Sequence, residues 1–170
     1  HGQGERHLLA SGIDWCIVRP CYFMQNFLMS AASIAAEGRF YLPACTEPVG
    51  VVDVRDAAAV TTACLLDRRH DGCIRTVTGS ESLTLDEIAG RMGRVLGRPV
   101  AYVGLPDQDF LAAMSGAGAP EWLAGGMIEF FAGARRGTKD LLSGSVQRLL
   151  GREPIGLPQF VADHAGAFSA

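Results

Sequence analysis

Apolar positions along the chain fall into two rhythms. Residues 13–19 (IDWCIVR), 49–54 (VGVVDV), 73–78 (CIRTVT) and 99–105 (PVAYVGL) are short runs of mostly β-favouring side chains, each the length of a strand. A shorter strand is expected at 39–42, closed by Pro43. Between these runs, residues 26–37 and 54–66 have helical character. In 85–96 the residues Leu85, Ile88, Met92 and Val95 or Leu96 fall on one helical face. The boundaries carry their own signals. Gly12, Gly38 and Gly97 stand where helices must stop, Asp53 can cap the helix that follows it, and Thr84 with Glu87 forms a capping box. Alternating strands and helices predict an α/β fold with parallel strands.

From residue 107 onward the strand rhythm disappears. Helices are expected at 107–115, 120–136, 143–150 and 158–168, and Phe110, Met114, Trp122, Met127, Phe130 and Phe131 give this region an apolar face of large side chains. The chain therefore divides into a sheet-bearing part, 1–106, and a helical part, 107–170. Two readings of the helical part stand side by side. Its large side chains pack on the sheet, or they form a lid over an apolar ligand, hinged at the SGAGAP segment (115–120). On the second reading Phe110, Met114 and Trp122 join Tyr22 in a substrate pocket.

The stretch from Ser11 to Asn26, SGIDWCIVRPCYFMQN, organises the rest. Its apolar run has the length of a buried parallel strand, and Pro20, which lacks a backbone donor, marks the carboxyl end. Open α/β sheets bind ligands at that end, so Cys21, Tyr22, Phe23, Met24, Gln25 and Asn26 are expected to line a crevice. The competing reading is that Tyr22, Phe23 and Met24 fill the core and Asn26 caps the next helix.

Composition narrows the classes. The chain has 170 residues, 48% of them apolar and 19% charged, as in a globular protein with one real core. A net charge of −3 without a basic stripe argues against nucleic acid and membrane surfaces as partners. No run of about 20 apolar residues is present to span a bilayer, and the opening HGQGERHLL is no signal peptide. The five cysteines are odd in number and without a CxxC pair, which reads as reduced thiols in a cytoplasmic protein. Asp53 and Asp56 are a conceivable metal pair, but their places at a helix start explain both, and no metal site is expected. The chain opens inside a helical pattern, so an N-terminal portion is expected to precede it.

In order along the chain, SGIDWCIVRP, YFMQN, GVVDVRDAAAV, TGSESLTLDEIA, LGRPVAYV and LLGREPIGLPQFVADH resemble the C-terminal part of NmrA-like proteins, an atypical branch of the short-chain dehydrogenase/reductase superfamily. The resemblance implies a partial Rossmann-like parallel sheet, its N-terminal strands missing, with a helical substrate-side region. Family members hold the cofactor pyrophosphate on a glycine-rich turn, and neither Gly2-Gln3-Gly4 nor Gly116-Ala117-Gly118 follows a strand as that turn must. What carries over is the nicotinamide side. His1 falls at the lysine position of the Tyr-x-x-x-Lys pair found in related reductases, as a cofactor contact or proton donor. Pro20, Tyr22, Phe23, Met24, Gln25 and Asn26 fall on the loop that wraps the nicotinamide and ribose.

Three expectations follow from the resemblance. One is a reductase that passes a hydride from NADPH or NADH to an apolar carbonyl or quinone-type acceptor, with the protein positioning the partners. Another is a dinucleotide-binding redox sensor without catalysis. The last is a chain that needs a second copy of itself or a separate N-terminal half before it binds cofactor, because its central strand lacks cover.

Overall fold

The computed structural model describes residues 2–169. Among the described residues seven strands run in chain order as β1 (Cys16–Pro20), β2 (Tyr22–Phe23), β3 (Arg39–Pro43), β4 (Val49–Val52), β5 (Cys73–Val77), β6 (Ser82–Leu83) and β7 (Ala101–Leu105). The pairs β1·β5, β2·β4 and β3·β7 are parallel, and β6 adds to β4 antiparallel. Helices α1 (Gly2–Ala10), α2 (Ala31–Glu37), α3 (Val54–Leu66) and α4 (Leu85–Leu96) intervene. The chain ends with α5 (Asp107–Gly116), α6 (Glu121–Ala134), α7 (Ser145–Leu150), α8 (Leu157–Asp163) and α9 (Ala165–Phe168). The expected α/β class with parallel strands is the architecture observed.

Local chemistry sets the boundaries. Asp53 caps α3 by accepting from the Arg55 amide, and the Thr84–Glu87 capping box is formed at both of its bonds. Gly38 and Gly97 close α2 and α4 in the left-handed conformation that only glycine adopts without strain.

Several expectations are corrected. The first strand starts at Cys16, not at 13, and Pro20 belongs to it, paired in register with Val77. Successive amides of a strand point to opposite edges. Cys21 N–H bonds the Val77 carbonyl at 3.0 Å, so the donor that Pro20 lacks would face the edge where β1 has no strand neighbour among the described residues. With one neighbour, β1 is also only half-buried, with Ile17 alone fully inside. The region expected as helix from 26 begins instead with a 3-10 turn, Met24–Ser30, before α2. The last helix is broken at His164, whose imidazole Nδ1 lies 2.8 Å from the Phe160 carbonyl and competes with the backbone ladder there. On α4 it is Leu96 that packs against the core, while Val95 is exposed.

The main core crosses the expected division of the chain. Phe27, Ile34, Phe40, Leu85, Ile88 and Met92 pack in one cluster with Phe110, Phe131, Phe160 and Phe168. Each such side chain contributes on the order of 1.5–3 kcal/mol by leaving water. A second cluster, Val52, Val60, Cys64, Val77 and Val146, lies beneath α3 and α7.

Long-range polar ties fasten the C-terminal helices to this frame. The buried Asp56 carboxylate accepts from the Ile155 amide at 2.7 Å and pairs with Arg152 at 2.7 Å. Arg98 donates to the carbonyls of Ile34 and Ala35 on α2 and to that of Phe168 on α9. The carboxylates at the start of α3 are both engaged by arginines, Asp53 with Arg55 and Asp56 with Arg152. No helix among the described residues is long and apolar enough to cross a membrane.

Candidate functional site

Leaving β1, the chain does not enter open space. After Cys21 it steps sideways onto β4, where Tyr22 and Phe23 pair with Val51 and Val52. The neighbouring strand does the same, since the Gly79 amide, two residues beyond β5, bonds the Val51 carbonyl at 2.7 Å. That approach requires glycine, because a Cβ at 79 would stand 2.6 Å from the Val51 oxygen. The carboxyl ends of β1, β4 and β5 are therefore stitched together by backbone bonds, and the Met24–Ser30 turn sits on the seam.

The six loop residues divide by environment. Tyr22 and Met24 are buried, and Met24 reaches a narrow crevice lined also by Val51, Gly79, Leu83, Ile155 and Leu157. The Tyr22 ring lies 5.7 Å from Phe27, 5.1 Å from Phe130 and 5.8 Å from Phe131, centroid to centroid. Burial pushes the Tyr22 phenol well above its ordinary range, with the Asn26 side chain opposing, so the hydroxyl keeps its proton at physiological pH. It is buried beside Asn26 without a hydrogen bond of ordinary geometry. An unsatisfied buried hydroxyl in this position is a point to which a ligand oxygen could bond.

Gln25 has a structural task that residue spacing alone does not reveal. Its Oε1 accepts from the Val54 amide at 2.9 Å, the first residue of α3, which sets its side chain beside the Asp53 carboxylate. Burial pushes the Asp53 carboxyl up, but the Arg55 side chain and amide together with Gln25 more than offset this and hold it below the usual carboxylate range. Phe23 is half-buried against the second cluster. Pro20 is exposed, Asn26 is half-buried and does not cap a helix, and Phe23 stands at the head of the 3-10 turn. Burial pushes the Cys21 thiol up to about 12, so it is no nucleophile at neutral pH.

Of the residues expected on the lid, the structure brings Phe110 and Met114 into or against the main core. Trp122 is 76% exposed on the outer side of α6. The helical residues that do meet the loop are Phe130 and Phe131, both through Tyr22. His1 lies outside the described residues.

The description of the NmrA-like family fits residues 3–139. The chain belongs to the NmrA-like family. It is 37% identical to an NAD(P)H azoreductase of Xenophilus azovorans, over 99% of this chain and 59% of that protein. It is 34% identical to a furanone-methyl phosphate reductase of Streptomyces griseus, over 98% of this chain and 59% of that one. Among solved structures, the NADPH-dependent quinone oxidoreductase of Escherichia coli in complex with NADPH superposes with a TM-score of 0.86 at 26% identity, over 96% of this chain and 58% of that one. The chain thus spans a little under three-fifths of the length of the relatives it matches.

Proposed function

We propose that this chain forms the nicotinamide-side and acceptor-side part of an NADPH- or NADH-dependent reductase that acts on quinone, azo or similar apolar acceptors. The observation that carries the reading is the stitched seam of β1, β4 and β5 with the Tyr22–Asn26 loop upon it, in a chain whose NmrA-like relatives include NAD(P)H reductases. The buried, unpartnered Tyr22 hydroxyl with the Asn26 amide beside it supports a polar ligand group at this place. When bound, the cofactor would supply a hydride. The loop would hold the nicotinamide end, with Pro20, Phe23 and Met24 shaping its surface and Asn26 bonding the carboxamide or an acceptor oxygen. Gln25 would act by fixing the loop to α3. His1 is retained as a contact to the cofactor ribose or a proton donor, and Tyr22 with the apolar α5 and α6 residues Phe110, Met114 and Trp122 as the acceptor side. Catalysis would rest on positioning and on exclusion of water, and the net reaction joins hydride and a proton to the acceptor.

The test is calorimetric titration with NADPH and NADH, followed by cofactor oxidation with and without a quinone, an azo dye and an aliphatic ketone. Saturable binding with acceptor-dependent oxidation supports the reductase. Binding without turnover on any acceptor would favour a dinucleotide sensor, and no binding would overturn the proposal for this chain. Solution mass measured on the same sample tests whether a second copy takes part.

A further inference from the structure

Fourteen arginines carry nearly all the positive charge of this protein, and there is a single lysine, Lys139. The arginines are largely committed to architecture. Arg19, Arg55, Arg68, Arg69, Arg91, Arg135 and Arg152 stand in ion pairs, and Arg98 and Arg148 donate to backbone carbonyls. Lys139 has no acidic partner among the described residues. Its ammonium lies instead over the ring of Phe130, 5.1 Å from the centroid. That ring also lies against Phe131 and against Tyr22, whose hydroxyl is buried without a bond. Lys139 therefore brings a cation to the aromatic side of the loop after β1.

The surroundings hold it there. Gly133, on the same helix as Phe130, leaves the space that the lysine stem fills, since a Cβ at 133 would stand 2.9 Å from Lys139 Cε. Thr138, the preceding residue, bonds the Gly133 carbonyl through both its amide and its hydroxyl. The Lys139 carbonyl accepts from the Gly50 amide on β4 at 2.9 Å. Backbone and stem are fixed from α6 and β4, while the charge has no acidic partner among the described residues. An ammonium is a compact, strongly hydrated charge with freely directed donors, suited to meeting an anion that arrives from water.

We propose that Lys139 is a specificity residue that receives a negatively charged substituent, carboxylate or sulfonate, on the aromatic acceptor. The inference rests on the reductase reading for its substrate, but its core claim is binding of an anionic aromatic molecule beside Phe130. In the kinetic arm, KM and kcat are measured for a neutral naphthoquinone and its sulfonate, in the natural protein and in Lys139→Met and Lys139→Arg. Lys139→Met should raise KM for the sulfonate about tenfold with kcat little changed, leave the neutral quinone within about twofold, and be rescued by Lys139→Arg. Equal effects on both quinones, or none, would overturn the assignment. The binding arm needs no turnover: naphthalenesulfonate and naphthalenemethanol are titrated by calorimetry into the natural protein and Lys139→Met. Preference for the sulfonate that vanishes in Lys139→Met supports the inference even if no acceptor is reduced, a result that would sink only the reductase reading. Absence of that preference in the natural protein overturns the inference itself.

Discussion

The side-chain oxygen of Gln25 accepts the Val54 amide at 2.9 Å, so the loop after β1 caps the helix after β4. An orphan donor at a helix start is satisfied from another part of the chain, and the same bond fixes the loop that carries Asn26. Gln25→Ala should lower stability by about 1 kcal/mol, read as a shift in urea midpoint at unchanged slope. It should also weaken NADPH binding, because the loop loses its anchor. Normal stability in the variant would show that the bond is not a fastening.

Asp53 gives this region a pH dependence. Its folded pKa is depressed by Arg55 and Gln25 in spite of burial, so it releases its proton more readily folded than unfolded. The stabilisation it gives is complete above the unfolded value of about 3.9 and fades as pH falls through the lower folded value. Asp53→Asn should therefore reduce stability near neutrality and flatten its decline below about pH 4, in urea titrations from pH 2.5 to 7. An acid limb as steep as in the natural protein would contradict the assignment.

Two glycine-to-alanine changes should have opposite signs. At Gly50 a Cβ would stand 2.6 Å from the Leu141 carbonyl, backbone against backbone, and Gly50→Ala should destabilise by about 1–3 kcal/mol. Gly90 lies inside α4 with nothing within 4 Å of the added carbon. Gly90→Ala should stabilise by about 0.5–1 kcal/mol. Thermal melts of the two variants beside the natural protein decide both.

Burial separates the two aromatics of the proposed acceptor side. Phe110 is 3% exposed and Trp122 is 76% exposed. Phe110→Ala should cost about 3–5 kcal/mol of stability, whereas Trp122→Ala should stay within about 0.5 kcal/mol. Trp122→Ala is therefore the clean probe of a lid: a raised acceptor KM at unchanged stability would place Trp122 over the acceptor, and unaltered kinetics would remove it from the site.

Most elements were legible because their signals are local. The Thr84–Glu87 box, the Asp53 cap and the glycines at 38 and 97 each act within a few residues and were found where expected. What could not be read were bonds between distant residues: Gln25 to Val54, Asp56 to Ile155 and Arg98 to Phe168. Pro20 misled as a terminator because its effect depends on which edge of the strand is paired. Tyr22 could be placed at the loop but not assigned a depth, which its neighbours on α6 decide. The one available pointer to Lys139 was its rarity among the basic residues.

The bond from the Ile155 amide to Asp56 closes a loop of 99 residues. During synthesis, α3 emerges long before its carboxylate has the partner that makes burial tolerable. A nascent chain ending before residue 155 would carry a charge that the finished fold requires to be inside, and it should keep that helix turn wet and loosely packed. The C-terminal segment is therefore expected to close late in folding, and deletions that remove Ile155 should loosen the first turn of α3, far from them in sequence.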